Sequence, residues 1–193
     1  TLIFITQLFI SFEHETVLQI SGHFKFIIKP LIVISLMIFY ALQTRLNDRF
    51  AKRIFAGLFF GLLGDVFLMF NHLNGQYFVL GLVAFLIGHL LYLSAFYLDY
   101  KVNKGVYKKY TKNAIIAYVF YSLIFCGVLW SFLGDLKIPV IVYSVVISLM
   151  GIMAVNRFGR VNSLSFKLIL TGSILFVISD SFLAINRFVY DFK

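Results

Sequence analysis

Apolar runs recur along the whole chain, parted by short basic loops, and they constrain this sequence more than any other feature. The first, Thr1–Phe12, is short and gives way to Glu13, His14 and Glu15. Six longer runs follow: Phe24–Leu42, Ile54–Phe70, Tyr77–Leu98, Ala114–Leu133, Ile138–Val155 and Leu168 to about Arg187. A helix crossing a bilayer takes about 20 apolar residues. At that length 193 residues hold about seven spans, the first one short, with nothing left for a soluble domain. Composition agrees, with 61% apolar and 13% charged residues, against about 45–50% and about 25% in a soluble domain. Too little polar surface remains to coat a water-soluble globule, which excludes a soluble enzyme or binding module. The chain reads as an all-α, polytopic membrane helix bundle, a single transmembrane domain over 1–193.

The loops carry the positive charge. Those after the Phe24, Tyr77 and Ile138 runs hold four, five and three Lys or Arg; those after the Ile54 and Ala114 runs hold none and one. This alternation places the heavy loops in the cytoplasm. It also accounts for the net charge of +9 without a nucleic-acid partner, since no basic stripe or aromatic platform accompanies it. The single Cys126 excludes a disulfide framework and a cysteine-based zinc site. His14, His23 and His72 sit in loops or at interfaces without ligand spacing, so neither metal nor cofactor is expected.

Two of the runs resemble each other. Gly57–Asn71 aligns without a gap on Gly172–Asn186, with Gly, Asp, Phe, Leu and Asn recurring in register. Four spans separate them, so they cross in the same direction, as in a parallel repeat of four-helix halves at about 1–100 and 114–193. On that pattern the second half lacks its last helix, and eight spans are expected in the complete protein.

The repeat superposes Asp65 on Asp180. Each lies twelve or thirteen residues beyond a basic residue, Arg53 or Lys167, hence roughly 18–20 Å from the inner face at about 1.5 Å per residue. An acid at that depth costs several kcal/mol and faces a bundle interior or a wet cavity. One alternative is that each aspartate pairs privately with a polar group and locks the bundle. Equal depth on related helices favours a shared site instead, with carboxyls within about 8 Å of each other. Two such carboxyls hold one proton between them, so one serves as general acid and the other as general base. Gly57, Gly61 and Asp65 form a stripe at i, i+4, i+8 that lets a neighbouring helix approach.

His89 lies near the same depth, with Phe85, Tyr92 and Phe96 at helical spacing around it. It is either a packing histidine or an auxiliary group, with Tyr92, Asn71 and Asn186 as further auxiliaries. Lys29-Pro30 opens the Phe24 run, either as a snorkelling lysine before a first-turn proline or as a cation that meets a phosphate, together with Arg187. The 24 Phe and 11 Tyr are mostly lipid-facing or interfacial.

Lys29-Pro30, Gly64-Asp65, Gly88-His89 with Tyr92, and Ser179-Asp180 followed by Leu183-Ala184 and Arg187-Phe188 resemble the YhhN family, which includes the eukaryotic lysoplasmalogenases. The resemblance runs from about Lys29 to Phe188. It implies eight helices and cleavage of the vinyl-ether bond of a lysoplasmalogen or related lysolipid, giving a fatty aldehyde and a glycerophospho-alcohol. It implies Asp65 and Asp180 as the catalytic pair; Lys29 and Arg187, both toward the outer side by topology, are the cations expected at the head group. It implies a lysophospholipid or other amphiphile as substrate; the expected location is the inner (plasma) membrane of a bacterium, with the basic loops cytoplasmic.

Three rivals exist. A proton-coupled small-molecule transporter also has parallel repeats and midplane acids. An intramembrane aspartyl protease would resemble a Gly-x-Gly-Asp pattern; Leu62 and Val177 stand three residues before the two aspartates instead. A non-catalytic bundle leaves the equal depth of the acids without a reason.

Overall fold

The computed structural model describes residues 22–102 and 108–190. The run Thr1–Phe12, the Glu13–Glu15 loop and Lys104 lie outside these residues. The described residues form six α-helices: α1 (Gly22–Thr44), α2 (Arg49–Met69), α3 (Gln76–Val102), α4 (Lys108–Leu129), α5 (Lys137–Asn156) and α6 (Ser163–Ile185). A 3-10 turn, Gly134–Leu136, precedes α5, and a π-helical turn, Asn186–Tyr190, follows α6. Each of the six longer apolar runs has become one helix of an all-helical membrane protein.

The runs are unequal as spans. Four helical stretches, Gln76–Lys101, Lys109–Leu129, Gly134–Asn156 and Ser163–Val189, are long and apolar enough to cross a bilayer, whereas α1 offers the shorter stretch Ile28–Thr44. Helix α2 carries Arg49, Lys52, Arg53 and Asp65 among its 21 residues. Much of the loop charge belongs to helix starts: Arg49, Lys52 and Arg53 lie in α2, Lys108, Lys109 and Lys112 in α4, and Lys167 in α6. Helices that continue past the apolar run keep their backbone paired while their charged ends meet water.

Among the described residues, the starts of α2 and α6 are capped by side chains. The Asp48 carboxylate accepts the Ala51 N–H, and the Asn162 amide oxygen accepts the Ser165 N–H at 2.7 Å. Each cap satisfies one donor that the first helical turn leaves without an intrahelical partner. Lys29-Pro30 does not open a helix: α1 begins at Gly22, and Pro30 lies inside it. The apolar residues before Pro30 extend the helix past it, and the freed carbonyl one turn earlier is the cost.

The chain divides into two compact units, Thr1–Ala95 and Phe96–Lys193. In the first, α2 packs on α1 across the short connection 45–48. Helix α3 meets α2 through glycines. The Tyr92 ring lies over Gly57 and the Phe85 ring over Gly64, both so close that a Cβ there would fall within 3 Å of ring carbons. A Cβ on Gly88 would lie 3.1 Å from the Gly57 carbonyl oxygen, and one on Gly81 would lie 3.0 Å from Leu68. Gly61, expected to belong to this seam, has nothing within 4 Å of such a Cβ. Gly57 and Gly64 are one heptad apart and stay on the α3 side, whereas the i, i+4, i+8 stripe turns progressively away.

In the second unit α5 packs between α4 and α6. Its buried positions Val140, Ser144, Ile147, Gly151 and Ala154 alternate at four and three residues, the spacing of a helix seam. One end is closed by Leu129, Leu133 and Val140 packed against Leu136, Ile185, Phe188 and Val189. Polar groups close the other. Arg157 Nε donates to Asp99 Oδ2 at 2.7 Å, its Nη2 donates to Ser165 Oγ at 3.1 Å, and its guanidinium lies 5.4 Å from the Phe96 ring centroid. Arg157 is only 3% exposed. Arg160 Nε donates to the Asn156 carbonyl at 2.7 Å, and Thr111 donates to the Asn156 amide oxygen at 2.8 Å. Two residues that read as loop charges thus anchor helix ends.

Candidate functional site

Asp65 sits on α2, 17 residues beyond the Asp48 cap, and Asp180 sits on α6, 18 residues beyond the Asn162 cap. The rise of about 1.5 Å per residue puts each some 25 Å along its helix. Both are half-buried. Asp65 belongs to the first unit and Asp180 to the second.

Tyr92 of α3 is the neighbour of Asp65 in the first unit, and Tyr40 of α1 and His89 of α3 lie beside Tyr92 in turn. Asp65 and Tyr40 are both electrostatic neighbours of the Tyr92 phenol. The His89 and Tyr92 rings have centroids 6.4 Å apart, and His89 is 1% exposed. The glycine seam sets this geometry: Gly57 admits the Tyr92 ring, and Gly64, next to Asp65, admits Phe85. Two expected site residues, Asp65 and Tyr92, are thus neighbours, and a third, His89, lies beside Tyr92. Asn71 lies in the turn after α2, with its side-chain oxygen buried. Lys29 is half-buried on α1. It is fifteen residues before the end of that helix at Thr44, a position well along the helix rather than at its first turn.

Around Asp180 the second unit gathers hydroxyls. Tyr143 of α5 donates its phenolic O–H to Asp180 Oδ2. Tyr121 of α4, an electrostatic neighbour of Asp180, shares a 2.8 Å hydrogen bond with Ser181, and Ser181 also donates to the Val177 carbonyl at 2.6 Å. A cavity of about 250 Å³ opens between α4 and α6 beside this pair, lined by Tyr121, Ile124, Phe125, Val128, Ser181 and Ile185. It is apolar except for the two hydroxyls. Asn186 caps α6, its N–H bonded to the Leu183 and Phe182 carbonyls, and Arg187 lies exposed in the π turn, seven residues beyond Asp180.

The arrangement sets a phenol beside a carboxyl in both units. Among the described residues no three His, Cys, Asp or Glu side chains gather as a metal site. Tyr143, Tyr121 and Ser181 were missed from sequence. No spacing marks Tyr143, because its link to Asp180 depends on how α5 and α6 are registered, and hydroxyls scattered in apolar runs carry no period of their own.

The sequence model of the YhhN family matches residues 24–193. Two curated relatives are lysoplasmalogenases. The lysoplasmalogenase TMEM86A of Bos taurus is 29% identical over 173 residues, covering 85% of this chain and 67% of the bovine protein. The lysoplasmalogenase TMEM86A of Homo sapiens is 30% identical over 143 residues, covering 72% of this chain and 55% of the human protein. No solved structure matches the chain significantly.

Proposed function

Because this chain belongs to the YhhN family, we propose that it is a membrane-embedded hydrolase of the lysoplasmalogenase type, with Asp65 and Asp180 carrying the acid and base roles. The observation that carries the reading is the similarity to two lysoplasmalogenases across most of the chain. Two half-buried carboxyls on helices of a membrane protein support it, each beside a phenol.

The chemistry asks for these groups. A vinyl ether is hydrolysed by protonation of its β-carbon: the alkene electron pair takes a proton from a carboxylic acid, leaving an oxocarbenium ion and a carboxylate. Water then adds to the oxocarbenium carbon and gives up a proton to a base. The hemiacetal so formed loses its glyceryl oxygen as an alcohol, and the remaining carbon becomes an aldehyde. One water is consumed and no electrons are exchanged. Two aspartates supply the donor, the acceptor and the anion that stabilises the cation, much as carboxylate pairs do in glycoside hydrolysis. The apolar cavity beside Tyr121 and Ser181 suits a hydrocarbon chain. Arg187, exposed beyond Asp180, is a cation for the phosphate, and Lys29 serves the same anion from α1. His89, Tyr92, Asn71 and Asn186 orient water and carboxyls. The protein acts in the inner membrane of a bacterium with the basic loops cytoplasmic.

The test is aldehyde release by purified protein from a lysoplasmalogen, set against the saturated ether analogue. The analogue has no alkene to protonate and stays intact. Proton-driven solute uptake into vesicles, without aldehyde release, would replace the hydrolase by a transporter.

A further inference from the structure

Helix α5 bears a tyrosine whose position gives it work beyond packing. The χ2 torsion of an aspartate is broad, so a carboxyl on a membrane helix needs an outside contact to fix its plane. Tyr143 provides one. It stands on α5 beside buried Ser144, its phenol reaches across to α6, and the O–H ends on Asp180 Oδ2. The seam of Val140, Ser144, Ile147 and Gly151 holds α5 in place, so the donor is presented from a packed backbone. On α6, Asp180 continues the stripe of buried Ser173 and Val177 at i, i+4, i+7, which keeps its Cα on the inward face.

We propose that Tyr143 is a positioning residue for Asp180: its hydrogen bond orients the carboxyl for its role in vinyl-ether hydrolysis. The proposal rests on the hydrolase reading. It differs from simple bracing of two helices, which the Ser122–Ser148 hydroxyl pair supplies between α4 and α5 at 2.8 Å without touching either aspartate. A hydrogen bond to a charged or reacting group is worth more than a neutral one, and a loose carboxyl slows the chemical step without weakening lipid binding.

The experiment compares Tyr143→Phe with Ser122→Ala in the full chain, with Asp180→Asn as reference. Tyr143→Phe is expected to lower kcat roughly ten- to hundredfold while KM stays within about twofold. Ser122→Ala is expected to leave kcat within about twofold, although both variants lose an interhelical bond. Infrared difference spectra give a second readout: the carboxyl band that Asp180→Asn removes should move in Tyr143→Phe and stay in place in Ser122→Ala. Wild-type kcat in Tyr143→Phe, an unmoved band, or equal losses in both variants would overturn the positioning role and leave the hydrolase reading standing. No aldehyde from the wild-type protein would overturn the hydrolase reading, and the catalytic part of this role with it.

Discussion

Each of the two units holds one of the repeat-related aspartates, Asp65 or Asp180, and builds its surroundings by different means. In the first unit backbone closeness does the work: Gly57, Gly64, Gly81 and Gly88 let α2 and α3 approach until aromatic rings rest on bare Cα atoms beside Asp65. In the second, side-chain hydroxyls and amides stitch the helices, through Tyr143–Asp180, Tyr121–Ser181, Ser122–Ser148 and Thr111–Asn156. Both devices answer one physical problem. Lipid supplies no hydrophobic drive between helices, so contact must come from close packing or from polar groups that find each other. A glycine seam fixes distance, whereas a hydroxyl network fixes orientation as well.

The largest effect should come from the aspartates. Asp65→Asn and Asp180→Asn are each expected to cut aldehyde release by about 10²–10⁴-fold, since Asn keeps the shape and loses the proton. The double variant should be little worse than either single one if the two carboxyls serve one reaction. Independent, multiplying losses would break that unity. His89→Gln should cost less than either aspartate change, measured in the same assay, because a residue that orients an acid is partly replaceable.

Stability sharpens the contrast. Arg157→Gln leaves Asp99 without its partner at a site where the arginine is 3% exposed, and it should cost about 3–5 kcal/mol, read from thermal unfolding in detergent. Gly57→Ala drives a methyl into the Tyr92 ring and should cost about 1–3 kcal/mol. Gly61→Ala, with open space at its Cβ, should fall within about 0.5 kcal/mol of wild type. Equal losses at the two glycines would dissolve the seam. The caps contribute less than the Arg157 pair: Asp48→Ala and Asn162→Ala should each cost about 1 kcal/mol.

Much of the fold was legible in the sequence because a membrane leaves the backbone few choices. An apolar run of span length must pair its own amides, so six runs became six helices, with ends up to six residues from the expected places. The two aspartates stand out in the sequence for a related reason, since a charge within an apolar run contrasts with its surroundings. Helix ends were harder to read. Arg49, Lys52 and Arg53 look like loop residues, yet the helix includes them, because helical backbone continues into the headgroup layer wherever a cap such as Asp48 satisfies its first amides. Pro30 looked like a helix start and lies inside one.

What the sequence determined by itself was the helical class and the count and order of the six longer helices, both properties of local hydropathy. What only the tertiary structure decided was which side chains meet. Tyr143 reaches Asp180 across 37 positions of chain, Arg157 reaches Asp99 across 58, and Gly57 rather than Gly61 receives the Tyr92 ring. Each depends on the rotation and axial register of one helix against its neighbour. Packing of the whole seam sets those two quantities, and no single helix encodes them.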